Sequence, residues 1–193
     1  MRTIISSDDI RKVRPIAENV LDFKRIDPYI REVEQLDVMP EIGISLYQQI
    51  TDESFTQSLT ENGSAVITVN GTDITVTREQ WEKVTGGGYY TCGDCDCGQD
   101  GTRYSAGLTA AVAYLSYARA LPNMPLNVTA LGVVQKSSPH SEPVDDATLF
   151  RAAGEARKIG LEYLRQSAGH LRCLGWTGGR TSAKRFYRLR IIK

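Results

Sequence analysis

Ala106–Leu121, AGLTAAVAYLSYARAL, is the stretch on which the fold turns. Only Thr109, Ser116 and Arg119 carry clearly polar groups in it. At ~1.5 Å of rise per residue it makes a helix of roughly 24 Å. That falls short of the ~20 apolar residues needed to span a bilayer. A helix apolar nearly all round is normally buried on every side. Leu108, Val112 and Leu115 form one stripe, and Tyr114, Tyr117 and Leu121 form another. Ala106, Ala110, Ala111, Ala113 and Ala118 let neighbouring backbones come close. The segment therefore reads as a central core helix, with the alternative that a second copy covers one face. Pro122 stops it, because proline fixes φ and has no N–H to donate.

The rest of the chain is read by how it covers this helix. At 193 residues, one domain plus an appendage is the default. No N-terminal run has the apolar core of a signal peptide, and no segment reads as a membrane span. A cytoplasmic origin is the expectation, with Cys92, Cys95, Cys97 and Cys173 as reduced thiols. The net charge of zero hides a polarity: residues 1–100 hold 9 Lys/Arg against 18 Asp/Glu, residues 101–193 hold 14 against 5. Either this asymmetry makes an acidic and a basic flank for copies packed head to tail, or the two halves interleave and their charges mix.

Toward the N-terminus, Ser7 reads as the cap of a short helix from Asp8, with Ile10 and Val13 inward and, at Pro15, either a break or a fresh helix start with proline at its first position. Asp27-Pro28 reads as a helix start, an N-cap acid followed by proline at the first helical position. That helix should run to about Val38 with Tyr29, Ile30, Val33 and Leu36 on one face, ending at Met39-Pro40. Pro40 then opens a second helix whose stripe is Ile42, Leu46 and Ile50. Residues 51–103 read as a small β-containing insertion. Ala65–Val69 and Thr72–Val76 flank Asn70-Gly71, the strongest short hairpin signal, because a type I′ turn needs positive φ at both positions. Thr77 caps a short helix, Arg78 to Val84, anchored by Trp81 and ended by Gly86-Gly87-Gly88.

Toward the C-terminus, Leu126–Val134 reads as one strand and Gln135–Pro143 as an extended polar arm, so residues 126–143 project. Val133, Val134, Lys136, Ser137, Ser138 and His140 are the candidate subunit-interface residues of this arm. From Asp145 to Leu171 the longest helix would reach roughly 40 Å. Leu149, Ala152, Ala153, Ala156, Ile159, Gly160 and Tyr163 share its inner face. Gly154 and Gly160 each cost about 1 kcal/mol in a helix interior, which close packing against the alanine-rich helix would explain. The body is thus residues 1–175, and residues 176–193 form a basic tail. That tail holds Arg180, Lys184, Arg185, Arg188, Arg190 and Lys193 and no acid. Phe186, Tyr187, Leu189, Ile191 and Ile192 interleave with them, the pattern of a docking strand.

Catalytic constellations are missing from this reading. His140 and His170 are the two histidines, and neither sits in a nucleophile context. Gly86-Gly87-Gly88 lacks the Lys-Ser/Thr of a phosphate loop. Cys92, Cys95 and Cys97, with Cys173, His140 or His170, could supply zinc ligands, but the second knuckle of a structural zinc site is absent. Asp94, Asp96 and Asp100 have a weak calcium-loop spacing. No enzyme activity, metal or cofactor is expected. A zinc-containing DNA-binding regulator is kept as the alternative, because the basic aromatic tail could contact phosphates.

A family resemblance rests on Ile26-Asp27-Pro28-Tyr29-Ile30, Leu36-Asp37-Val38-Met39-Pro40-Glu41-Ile42-Gly43, Leu46-Tyr47, Gly107-Leu108, Tyr114-Leu115-Ser116-Tyr117-Ala118-Arg119, Val128-Thr129, Gly132-Val133-Val134 and Lys136-Ser137-Ser138. In this order they resemble the small helical head–tail connector (adaptor) proteins of tailed phages, especially those of crass-like and related phages of gut Bacteroidales. The resemblance covers residues 5–170. It implies a mainly α fold, an antiparallel helical bundle with the hairpin region as an addition. It implies a virion neck ring of typically twelve copies beneath the portal, lining the channel through which DNA passes without sequence specificity. Its partners would be itself, the portal and another neck or tail component, with no membrane. It also implies that Arg180, Lys184, Arg185, Phe186, Tyr187, Arg188, Leu189, Arg190, Ile191 and Ile192 dock on the portal.

Overall fold

A computed structural model describes residues 3–6, 8–10, 23–92, 101–123, 126–129, 132–135 and 145–176. The chain is mostly helical with small antiparallel two-stranded sheets. Helix α1 (Phe23–Val33) passes through a wide π-helical turn (Glu34–Val38) into α2 (Met39–Ile42). The corner into α3 (Ile44–Ile50) comes at Gly43, whose φ of 95° only glycine adopts without strain. Helix α4 (Glu53–Asn62) is N-capped by Asp52, which accepts from the Ser54 N–H.

This N-terminal half corrects two expectations. Helix α1 does not start at Asp27-Pro28: it begins at Phe23 and carries Pro28 inside it. Nor does it end at Met39-Pro40. The Met39 N–H donates to the Glu34 carbonyl, five residues back, and the widened turn takes the chain helically through Pro40. An extra residue in one turn shifts every later side chain around the axis. Val33 and Glu34 face inward at the start of the turn, and Val38 and Ile42 at its end and beyond, whereas Leu36, expected inside, is 59% exposed.

Strands β1 (Ser64–Val69) and β2 (Thr72–Thr77) form the expected hairpin, with Val69 opposite Thr72 and φ of 52° and 79° at Asn70 and Gly71. Ala65, Ile67 and Val69 point to the core, and Val66 points out. Thr77 and Gln80 form a capping box at the start of α5 (Arg78–Gly86). Trp81 packs edge-on to Phe55, centroids 5.1 Å apart. Within the expected insertion, Phe55, Leu59, Ala65, Ile67, Val69, Val76 and Val84 belong to the same core as α1 and the central helix. Strands β3 (Gly88–Cys92) and β4 (Gly101–Ser105) form a second hairpin.

The central helix, α6 (Leu108–Ala120), is buried almost all round, as its composition predicts. A 3-10 turn, Leu121–Asn123, ends it. Where one strand was expected, β5 (Leu126–Thr129) turns back on β6 (Gly132–Gln135) as a third hairpin. The long helix α7 (Asp146–Cys173) lies along α6. A Cβ at Gly160 would sit 2.7 Å from Leu115 Cγ and 3.0 Å from its backbone N, so glycine is what lets the two axes close. Gly154 does not share this role; it is exposed and faces open space, and Ala152 is exposed too. Helix α7 ends in a Schellman arrangement: Trp176 N–H donates to Leu171 O and Gly175 N–H to Arg172 O. Trp176 is 1% exposed and so belongs to the body rather than to the tail.

Candidate functional site

The wide turn puts two acids in opposite surroundings. Glu34 is 0% exposed. Its Oε1 accepts from the backbone N–H of Ile4 at 2.7 Å and of Ile5 at 3.4 Å. Its Oε2 accepts from the Tyr47 hydroxyl at 2.9 Å. Burial raises its pKa from 4.5 to about 7, against the opposing pull of the bonds from Tyr47, Ile4 and Ile5. Burial and the adjacent carboxylate push Tyr47 upward as well. A sealed acid of this kind cannot meet a substrate. It anchors the N-terminal segment, whose Ile5 and Ile10 are buried. Nearby, the Ser6 N–H and hydroxyl donate to Asp9, while Ser7, Val13 and Pro15 lie outside the described residues.

Asp37, three residues on, is ion-paired. Arg119 of α6 bonds Glu32 at 2.6 Å and Asp37 at 2.8 Å, and Arg157 of α7 reaches Asp37 at 3.3 Å. Arg172 reaches Glu41 at 3.3 Å. Each of these pairs joins an acid of the first half to a base of the second. The charge polarity of the sequence is thus partly consumed inside the subunit, as the interleaved alternative predicted.

At the far end of α7 the cysteine expectation is corrected. Cys92, closing β3, and Cys173, in the last turn of α7, have Cα atoms 5.4 Å apart and form a disulfide rather than two free thiols. The fold brings together residues 81 apart in sequence, which no spacing rule foresees. With these two sulfurs bonded to each other, the proposed zinc set loses two of its thiolates. Cys95, Cys97, Asp94, Asp96 and Asp100 lie outside the described residues, among which no group of three His, Cys, Asp or Glu could hold a metal. His170 stacks on Tyr90 with centroids 4.1 Å apart and planes 11° apart. Burial, then the charge of Lys83, pushes its pKa below the ordinary value. Its Nδ1 has no hydrogen-bond partner among the described residues.

An open polar edge lies along β1. The hairpin pairs Val69 with Thr72, the closing pair of a two-residue turn, so Val69, Ile67 and Ala65 exchange bonds with β2. Thr68, Val66 and Ser64 therefore turn their N–H and C=O away from β2. The Gln49 side chain acts as a short substitute strand at Thr68: Oε1 accepts from Thr68 N–H at 2.6 Å, and Nε2 donates to Thr68 O at 2.9 Å. Beyond it, Val66 and Ser64 border a cleft of about 420 Å³ whose other wall is α4, with Phe55, Ser58 and Asn62. Sequence reasoning identified the hairpin but not this edge, since which strand side stays open depends on the elements around it.

Of the expected interface residues, Val133 and Val134 fall in β6. Lys136, Ser137, Ser138 and His140 lie outside the described residues. So does residue 177 onward, including Arg180, Lys184, Arg185, Phe186, Tyr187, Arg188, Leu189, Arg190, Ile191 and Ile192. Among the described residues no helix is long and apolar enough to cross a membrane.

Comparison with known proteins finds no curated protein and no solved structure that matches this chain. A family match does cover residues 39–173, from the start of α2 to the last turn of α7, so it takes in the β1–β2 hairpin and the cleft beside it. The chain belongs to that family, DUF6712, a family of unknown function.

Proposed function

We propose that this protein is a structural subunit of a phage neck, a head–tail connector that assembles as a ring beneath the portal and joins it to the next neck or tail component. In this reading DNA passes through the ring without sequence-specific contact, the helices form a connector-type bundle, and the basic segment from Arg180 docks on a neighbouring polypeptide. The ordered motifs from Ile26 to Ser138 support it. The observation that carries it is the β1 edge: beside a cleft, its outward backbone groups at Ser64 and Val66 have no strand partner among the described residues and are available to another chain. Contacts between two different surfaces of identical copies generate rings when the rotation closes.

The test is negative-stain imaging of the full chain, alone and mixed with its portal. Closed rings stacked on portal particles are expected. A chain that stays monomeric with and without the portal would rule out the connector reading.

A further inference from the structure

We infer that the cleft between α4 and the β1 edge is a strand-addition site, and that its occupant is the C-terminal segment 184–192 of an adjacent copy. Backbone geometry supplies the first argument. Ser64 and Val66 present the outward N–H and C=O groups of an edge strand, and Gln49 ends the open stretch at Thr68. An extended peptide laid there would continue the β1–β2 ladder, with α4 as the second wall of its groove. The cleft also has an apolar element for an incoming side chain, with Phe55 in its wall and Val66, 59% exposed, on the strand.

Charge decides the occupant. Between Gly43 and Thr77 the chain carries Asp52, Glu53, Glu61 and Asp73 and not one Lys or Arg. Asp52 lines the cleft itself; Glu53 and Glu61 are exposed on α4, the helix of its wall, and Asp73 is exposed on β2. Among the described residues none of these four acids is ion-paired, unlike Glu32 and Asp37, which face arginines. The segment 180–193 has the opposite character, with six Lys/Arg and no acid. Tyr187, Leu189 and Ile191 alternate with Arg188 and Arg190, the period of two that a strand needs to present one apolar and one cationic face. The 17 residues after Trp176 span up to roughly 55 Å when extended, enough to reach a neighbouring subunit. The connector resemblance would place this segment on the portal; the cleft gives it a site on the next copy. The inference rests on the ring-subunit reading of the preceding section.

The test uses the full chain and Val66→Pro. The Val66 N–H faces the open edge, so proline there removes one incoming bond and leaves the β1–β2 ladder intact. Sedimentation across a concentration series is expected to show self-association of the wild type and at least a tenfold weaker association for Val66→Pro with an unchanged circular dichroism spectrum. A synthetic peptide of residues 183–193, in excess, should disperse the wild-type assemblies. Rescue by charge exchange, Glu61→Lys combined with Arg188→Glu, should restore what either change alone weakens. If folded Val66→Pro forms rings as the wild type does, this inference falls and the ring reading stands. If the wild type is monomeric at every concentration and the portal does not assemble it, both fall. A monomer whose segment 184–192 cross-links to its own cleft overturns the second copy as occupant.

Discussion

Helix α7 is held along two seams that work by different physics. Against α6 the seam is apolar and closed by shape: Gly160 gives Leu115 room, and Ala153, Ala156, Leu164 and Ala168 are buried beside it. Against the turn after α1, and α2 beyond it, the helix makes ion pairs, Asp37 with Arg157 and Glu41 with Arg172. The first seam has no tolerance for volume. The second can lose a partner and rehydrate the other, since Arg157 and Arg172 are about half exposed. The difference teaches that this chain places its small residues where the backbone must approach and its charges where helices merely need to be aligned.

Cutting the staple at the end of both seams has the largest expected effect. The disulfide closes a loop of about 80 residues, and reducing it, or making Cys173→Ser, should cost about 2–4 kcal/mol in urea unfolding. An unchanged midpoint in reducing buffer would mean that the seams alone hold α7. Next comes the shape-closed seam: Gly160→Leu should lose about 2–3 kcal/mol by overpacking against Leu115, whereas Gly154→Leu, facing open space, should lose none. Equal losses at the two glycines would break the comparison. Asp37→Asn, which leaves Arg119 and Arg157 without their shared acceptor, should cost about 1–2 kcal/mol. Arg172→Ala, a pair exposed on both sides, should cost less than about 1 kcal/mol.

A second contrast lies within the wide turn, between an acid with cations and an acid without. The carboxyl of Glu34 has its folded pKa raised from 4.5 to about 7, so the native state binds the proton more tightly than the unfolded chain. Stability should therefore rise as pH falls from about 7 toward 4.5, by roughly 3 kcal/mol at most, and stay level from this group above pH 7. Asp52 and Glu79, whose pKa values are lowered by their bonds to Ser54 and Lys83, act in the opposite sense and only at lower pH. The measurement is the difference in urea stability between wild type and Glu34→Gln from pH 5 to 8. A difference that does not change across that window would show that Glu34 stays charged in the fold.

Local chemistry made several elements legible in advance. Asn70-Gly71 can adopt the turn that joins β1 to β2, Thr77 and Gln80 cap α5, and the alanine-rich run of α6 has no face fit for water. These follow from residues within a few positions of one another. The outward position of Leu36, expected inside, has a different origin. One extra residue in a single helical turn rotates all that follows, and periodicity cannot register an insertion that only packing selects.

By itself the sequence determined a mostly helical chain, its hairpin, its buried central helix and the opposition between an acidic first half and a basic second half. Tertiary structure alone decided that Cys92 meets Cys173, that Glu34 grips the backbone of Ile4 and Ile5, and that the β1 edge stays open beside α4. The physical reason is range. Turns, caps and stripes are set by neighbours along the chain, whereas bonded sulfurs, a desolvated carboxyl and an unpaired strand edge depend on which distant surfaces come to lie against each other.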